Sequence, residues 1–238
     1  MQNLQPRKMD AVEPKRNGGA LPHLARADAA HDWIADQIMS GTLEPGMRLR
    51  IAQLASAARV SHTPVREALA RLEGTGLVIR LPLRGYVVAP PLSRDDLRNL
   101  TAVRELLEPE VAALACEKNP PDLIAHLEAN QAVAHDAPTG AHFKDYRPYL
   151  DSTSDFHAIL ANACGNQFLL KALGALPVFG QRFRLFGEAG VTDAEISIAE
   201  HQQILEAVSA HDVEGARAAM RAHVEAVYDR AALSVNLQ

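Results

Sequence analysis

The sequence predicts a mainly α protein in two parts: an amino-terminal winged helix-turn-helix with a small β-hairpin wing, then a carboxy-terminal all-α helical bundle. Three observations carry this. Two short segments of helical period joined by a tight turn precede two β-rich runs that flank a proline and a glycine. Beyond residue 92 nearly every segment repeats its apolar residues at helical spacing, with no convincing strand. Charge divides at the same place. Residues 1–92 carry 12 Lys and Arg against 8 Asp and Glu, a balance of +4, while residues 93–238 carry 12 against 21, a balance of −9. A basic head on an acidic remainder suits a chain in which only the first part meets phosphate.

At 238 residues and 47% hydrophobic content the chain can fill a core in each of two domains. No apolar run is long enough to span a bilayer, and the amino terminus lacks the apolar stretch of a secretory signal, so a cytoplasmic location without membrane contact is expected. Cys116 and Cys164 are far apart and form no CxxC pair, which excludes a disulfide framework and a thiolate zinc site and leaves two buried thiols.

Residues 1–22, with scattered prolines and glycines and little apolar period, read as a flexible tail. Residues 23–91 form the first domain. Trp33, Ile34, Gln37 and Ile38 mark one face of a helix that stops at Gly41, and Glu44-Pro45-Gly46 makes a turn. Ile51, Leu54, Ala55 and Ala58 fit a second, short helix. Val65, Ala68, Leu69 and Leu72 fit a third, ending near Gly74 and Gly76, with Thr63 as its cap and Pro64 at its first position. Leu77-Val78-Ile79 and Tyr86-Val87-Val88 pair as the hairpin of the wing. Pro90-Pro91 ends the domain. Ser93 with Asp95 and Asp96 then starts a helix, and residues 92–238 hold roughly six helices with breaks near Asn119-Pro120-Pro121, Pro138 to Gly140, Gly165, Gly187 to Gly190 and His211-Asp212.

A helix that reads DNA needs a polar outer face near its amino terminus, and Ser61, His62, Thr63 and Arg66 supply one. On pattern alone they either read DNA or only cap a helix in solvent. The run from Gly41 to Val88 strongly resembles the winged-helix domain of the GntR family. The resemblance rests on Gly41 through Pro45-Gly46, Val60 through Leu69, Leu72-Glu73, Gly76-Leu77 and Arg84-Gly85. It implies that Ser61, His62, Thr63 and Arg66 meet bases and phosphates of double-stranded operator DNA and that Arg84-Gly85 forms the wing contact. Arg48, Arg50 and Arg71 are supporting phosphate contacts. The family usually carries arginine at the position of His62. A neutral imidazole lacks the bidentate fork that reads guanine, so operator preference is expected to differ from the family norm.

His157, His201 and His223 each sit on the apolar stripe of a separate helical segment. Such histidines are either core residues or neutral ligands that converge on a divalent ion, for example zinc or nickel. From about Asp96 to Leu233 the chain resembles the FCD sensor domain of the FadR-like branch of the GntR family. The resemblance rests on Val103-Arg104 through Glu108, Phe156-His157 with Gly165-Asn166, Glu200-His201, and Ala218 to His223. It implies a metal held by the three histidines, with an aspartate one turn before the first. Here that position is Thr153, and neither Asp151 nor Asp155 shares the helical face of His157. Arg104, Arg182 and Arg184 either grip a carboxylate effector or form ion pairs, with Thr153 and Asn166 completing the expected effector set. Glu105 and Glu108 are local partners for Arg104 on its own helix.

The expectation is a homodimeric transcription regulator, a repressor, that responds to a small organic acid through its helical domain. The alternative is a metal-dependent enzyme using the three histidines. Against that stand the absence of an HExxH motif and of the paired Glu-x-x-His motifs of di-iron bundles.

Overall fold

The computed structural model describes residues 23–140, 143–176 and 191–235. The expected tail, the Gly187 to Gly190 break, Arg182 and Arg184 lie outside these residues. Two compact units divide between Pro91 and Leu92.

The first unit contains α1 (His23–Met39), β1 (Arg48–Leu49), α2 (Ile51–Ala58), α3 (His62–Gly74), β2 (Val78–Leu81) and β3 (Gly85–Val88). Its core is the apolar face of α1, with Ala30, Trp33, Ile34 and Ile38, laid on Val65, Ala68, Leu69 and Leu72 of α3. Helix α1 ends where Gly41 takes φ +74° and donates its N–H to the Ile38 carbonyl. Helix α2 closes on Arg59, which adopts the left-handed conformation and donates to Ala55 and Ser56.

Two details differ from the sequence reading. Helix α3 begins at His62 with Ser61 as the cap residue, so Thr63 lies in the first turn and does not cap it. Pro64 is then the third helical residue. The first-turn N–H groups have no intrahelical partner, so a proline is tolerated throughout that turn and does not by itself fix where the helix starts. The wing is also more than a hairpin: β1 joins it in a three-stranded antiparallel sheet of order β1-β3-β2, with Arg48 opposite Val87 and Val78 opposite Val88. A two-residue strand is too short to show an alternating pattern.

The second unit is all-α among the described residues: α4 (Arg94–Lys118), α5 (Leu123–Asp136), α6 (Phe143–Ala163), α7 (Gln167–Gly174), α8 (Ala194–Ser209) and α9 (Val213–Val235). Ser93 opens α4 with a capping box, its hydroxyl accepting from Asp96 N–H at 3.1 Å while the Asp96 carboxylate accepts from Ser93 N–H at 3.3 Å. Helix α4 is the central post: it packs along α9 and also touches α6, α7 and α8. Val111, Ala112, Phe156, Leu160, Ile204, Val208, Met220 and Val224 form one buried cluster among these helices. Cys116 and Cys164 are buried free thiols, and burial together with the nearby Asp212 charge pushes the Cys116 thiol above its ordinary value. No described helix is long and apolar enough to cross a membrane.

Leu160 is fully enclosed. Leu160→Ala is expected to lower the unfolding free energy by about 2–5 kcal/mol, and Ser93→Ala by about 1 kcal/mol, both read from urea titrations followed by circular dichroism.

Candidate nucleic-acid interface and metal centre

The first turn of α3 separates two surfaces. Pro64 and Val65 point into the core, while Ser61, His62, Thr63 and Arg66 are exposed. The Ser61 side chain makes no capping hydrogen bond, so the polar end of α3 is turned outward. Arg48 on β1, Arg50 ahead of α2, and Arg84 and Gly85 at the hairpin turn are exposed as well. Arg71 differs from these. It lies in the last turn of α3 and pairs with Asp28 of α1 at 2.5 Å, so its guanidinium already has a protein partner. The sequence reading missed Arg80, whose guanidinium carbon stands 5.9 Å from the centre of the Tyr86 ring across the wing. A cross-strand pair of that kind becomes visible only once the register is known.

In the second unit α6, α8 and α9 bring His157, His201 and His223 together. One ring nitrogen of each lies within 4.8 Å of those of the other two. The ring centres are 4.7–5.3 Å apart, and all three side chains are buried. Phe156 stacks on His201 with centres 4.1 Å apart and planes 3° from parallel, fixing that ring.

Two carboxylates stand behind the imidazoles. Glu108 of α4 places Oε2 3.0 Å from His157 Nδ1 and is gripped by Arg104, whose Nε and Nη2 donate at 2.6 and 3.2 Å. Glu200 of α8 places Oε2 2.8 Å from His223 Nδ1. It accepts two bonds from Arg230, at 2.6 and 2.9 Å, and Arg230 also donates to Asp193 and Ser197. Burial alone would raise the Glu108 carboxyl, but the charges of Arg104 and His157 and their hydrogen bonds outweigh it and hold the group well below the usual carboxylate range.

This donor set suits a divalent cation of the zinc or nickel kind. Nδ1 of His157 and of His223 faces a carboxylate, and carboxylate-backed imidazoles are the usual ligand form. Thr153 is buried one turn before His157, where it contributes a hydroxyl and no negative charge. Among the described residues of the expected effector set, Arg104 is linked to the cluster through Glu108. The Asn166 side chain caps α7, accepting from the N–H groups of Phe168 and Leu169.

Residues 26–88 match the family model of the bacterial regulatory proteins of the gntR family, and residues 99–226 match that of the FCD domain. The chain belongs to the GntR family. Its FCD domain is the helical unit that carries the histidines. LutR of Bacillus subtilis is 31% identical over 214 residues, covering 81% of this chain and 94% of that regulator. The probable D-xylose utilization operon repressor of Paenarthrobacter nicotinovorans is 28% identical, with 92% of each chain covered. The solved structure of Escherichia coli McbR superposes with a TM-score of 0.64 at 25% identity, covering 86% of this chain and 98% of that one. This GntR-family chain is thus a DNA-binding transcription regulator with a non-catalytic role, and the metal-dependent enzyme alternative is set aside.

Glu200 touches His223 from behind and does not belong to the three-imidazole set. Glu200→Gln is expected to weaken Zn²⁺ binding by about 10–100-fold, measured by competition with a chromophoric chelator, while the far-ultraviolet circular dichroism stays that of the unaltered protein.

Proposed function

We propose that this GntR-family regulator is a repressor whose helical domain holds a divalent ion and senses a small carboxylate. The reading rests above all on the buried histidine cluster, in which three imidazoles from three helices converge and two are backed by carboxylates. His157, His201 and His223 would hold the ion, which would supply a positive charge to receive an anionic effector. Because Thr153 stands where an acid would otherwise be, the protein's own ligand set is neutral and more of the ion's charge is left for that effector. Zinc and nickel suit imidazole better than calcium or magnesium, which take oxygen ligands.

In the head, Ser61, His62, Thr63 and Arg66 approach base edges and phosphates, with Arg48, Arg50 and Arg84-Gly85 as flanking contacts. Arg71, tied to Asp28, contributes less. Two copies present two such heads to a pseudo-palindromic operator, and effector binding shifts the population between forms with different DNA affinity. Several relatives are named repressors, including the D-xylose operon regulator and GlaR of Escherichia coli, which supports a repressive sign here.

Selection from a random duplex library at moderate salt should enrich a two-fold-symmetric motif. Arg66→Ala should abolish that enrichment without unfolding the protein. His201→Ala should retain it but lose bound metal, read by plasma emission spectroscopy, together with the response to organic acids. If the two phenotypes were exchanged, the assignment of roles to the two domains would be overturned.

A further inference from the structure

Among the described residues four amino acids other than glycine have positive φ: Arg59, Leu83, Asn119 and His211. Three of these follow a helix, where a left-handed residue turns the chain and satisfies a terminal carbonyl: Arg59 after α2, Asn119 after α4, and His211 after α8, where it donates to Val208. Leu83 has no such reason. It sits at the tip of the wing in a turn closed by Arg84 N–H on the Leu81 carbonyl at 3.1 Å, with Pro82 in the second position and Leu83, at φ +59°, in the third. A turn with proline second and positive φ third is built for glycine or asparagine there, because a side chain in that conformation crowds its own backbone.

Leu83 is also 107% exposed, as open as a side chain can be, so the first unit gains no packing from it. The fold would be served better by glycine on both counts, relief of strain and removal of apolar surface from water. What surrounds the tip is cationic: Arg84 follows it, and Arg80 lies on the strand leading into it, braced over Tyr86. An apolar point flanked by arginines fits the minor groove of duplex DNA, whose negative potential draws the guanidinium groups while an apolar wedge is withdrawn from water between the sugar walls.

We infer that Leu83 enters the minor groove of the operator and is a specificity-determining residue, favouring sites whose base steps open easily under the wing. This rests on the DNA-reading role proposed above for the head. Pyrimidine–purine steps are the most readily opened, so the preference falls at positions that no side chain reads by hydrogen bonding.

The test uses the full chain, the duplex selected by the unaltered protein, and two variants, Leu83→Gly and Leu83→Met. Leu83→Met keeps an apolar side chain at the same strain and should bind within about twofold of the original. Leu83→Gly should lose on the order of tenfold or more in affinity. Its thermal midpoint should be equal or higher, and the slope of log K against log salt should not change, because no cation is removed. Leu83→Gly binding as tightly as the original would overturn the inference. So would Leu83→Met binding as weakly as Leu83→Gly, since affinity would then follow turn geometry and not an apolar contact. If Arg66→Ala abolished binding while Leu83→Gly did not, this inference would fall and the reading of the head would stand. If the unaltered protein selected no duplex, both would fall together.

Discussion

Three imidazoles, two carboxylates and two guanidinium groups meet inside or at the margin of one helical bundle, and the arrangement survives only because each charge is answered. A buried ion costs several kcal/mol to desolvate, and a pair relieved of one partner leaves the other stranded at a cost of roughly 3–5 kcal/mol. Here Arg104 answers Glu108 within one helix, four residues apart, and Arg230 answers Glu200 across two helices. Each carboxylate then turns its remaining capacity on a histidine. The carboxylates and guanidinium groups thus pair off in a layer around the imidazoles. This layering determines which ring nitrogens face the centre, and so what the bundle can hold.

The head follows a different economy. Nearly all its packing lies on one side of α3, where Val65, Ala68, Leu69 and Leu72 are fully buried against α1, and that rigid seating leaves the opposite side free to be polar. The exposed residues at the start of α3 contribute little to the fold, so packing does not set their identity. The wing shows the same separation: Val78 and Val88 anchor the sheet, while its tip carries residues the sheet does not use.

Much of this was legible in the sequence because it depends on local periodicity. The exposed polar start of α3, the wing, the Ser93 cap and the placement of each histidine on an apolar stripe all follow from spacing within a single element. Two details at element ends were not. Strand β1 is too short to carry a pattern, and Pro64 is compatible with any position in a first helical turn, so it could not distinguish Ser61 from Thr63 as the cap. The pairing of Glu108 with Arg104 was legible, but the contacts of Glu108 and Glu200 with histidines were not: a carboxylate normally marks a solvated face, and only the packing of α4 on α6 and of α8 on α9 shows these two turned toward histidines. One clue was present, since Thr101, Arg104, Glu108, Val111 and Ala115 share a helical face that is otherwise apolar, which is unusual company for an ion pair.

Trp33, the only tryptophan in the chain, is buried in the core of the head between α1 and α3. Its emission therefore samples one of the two units, and the helical domain is silent at excitation wavelengths that select indole. The protein thus carries an optical reporter in the unit that does not hold its histidine centre. A change in that emission when metal or a carboxylate is added would be communication between the domains, seen without any label.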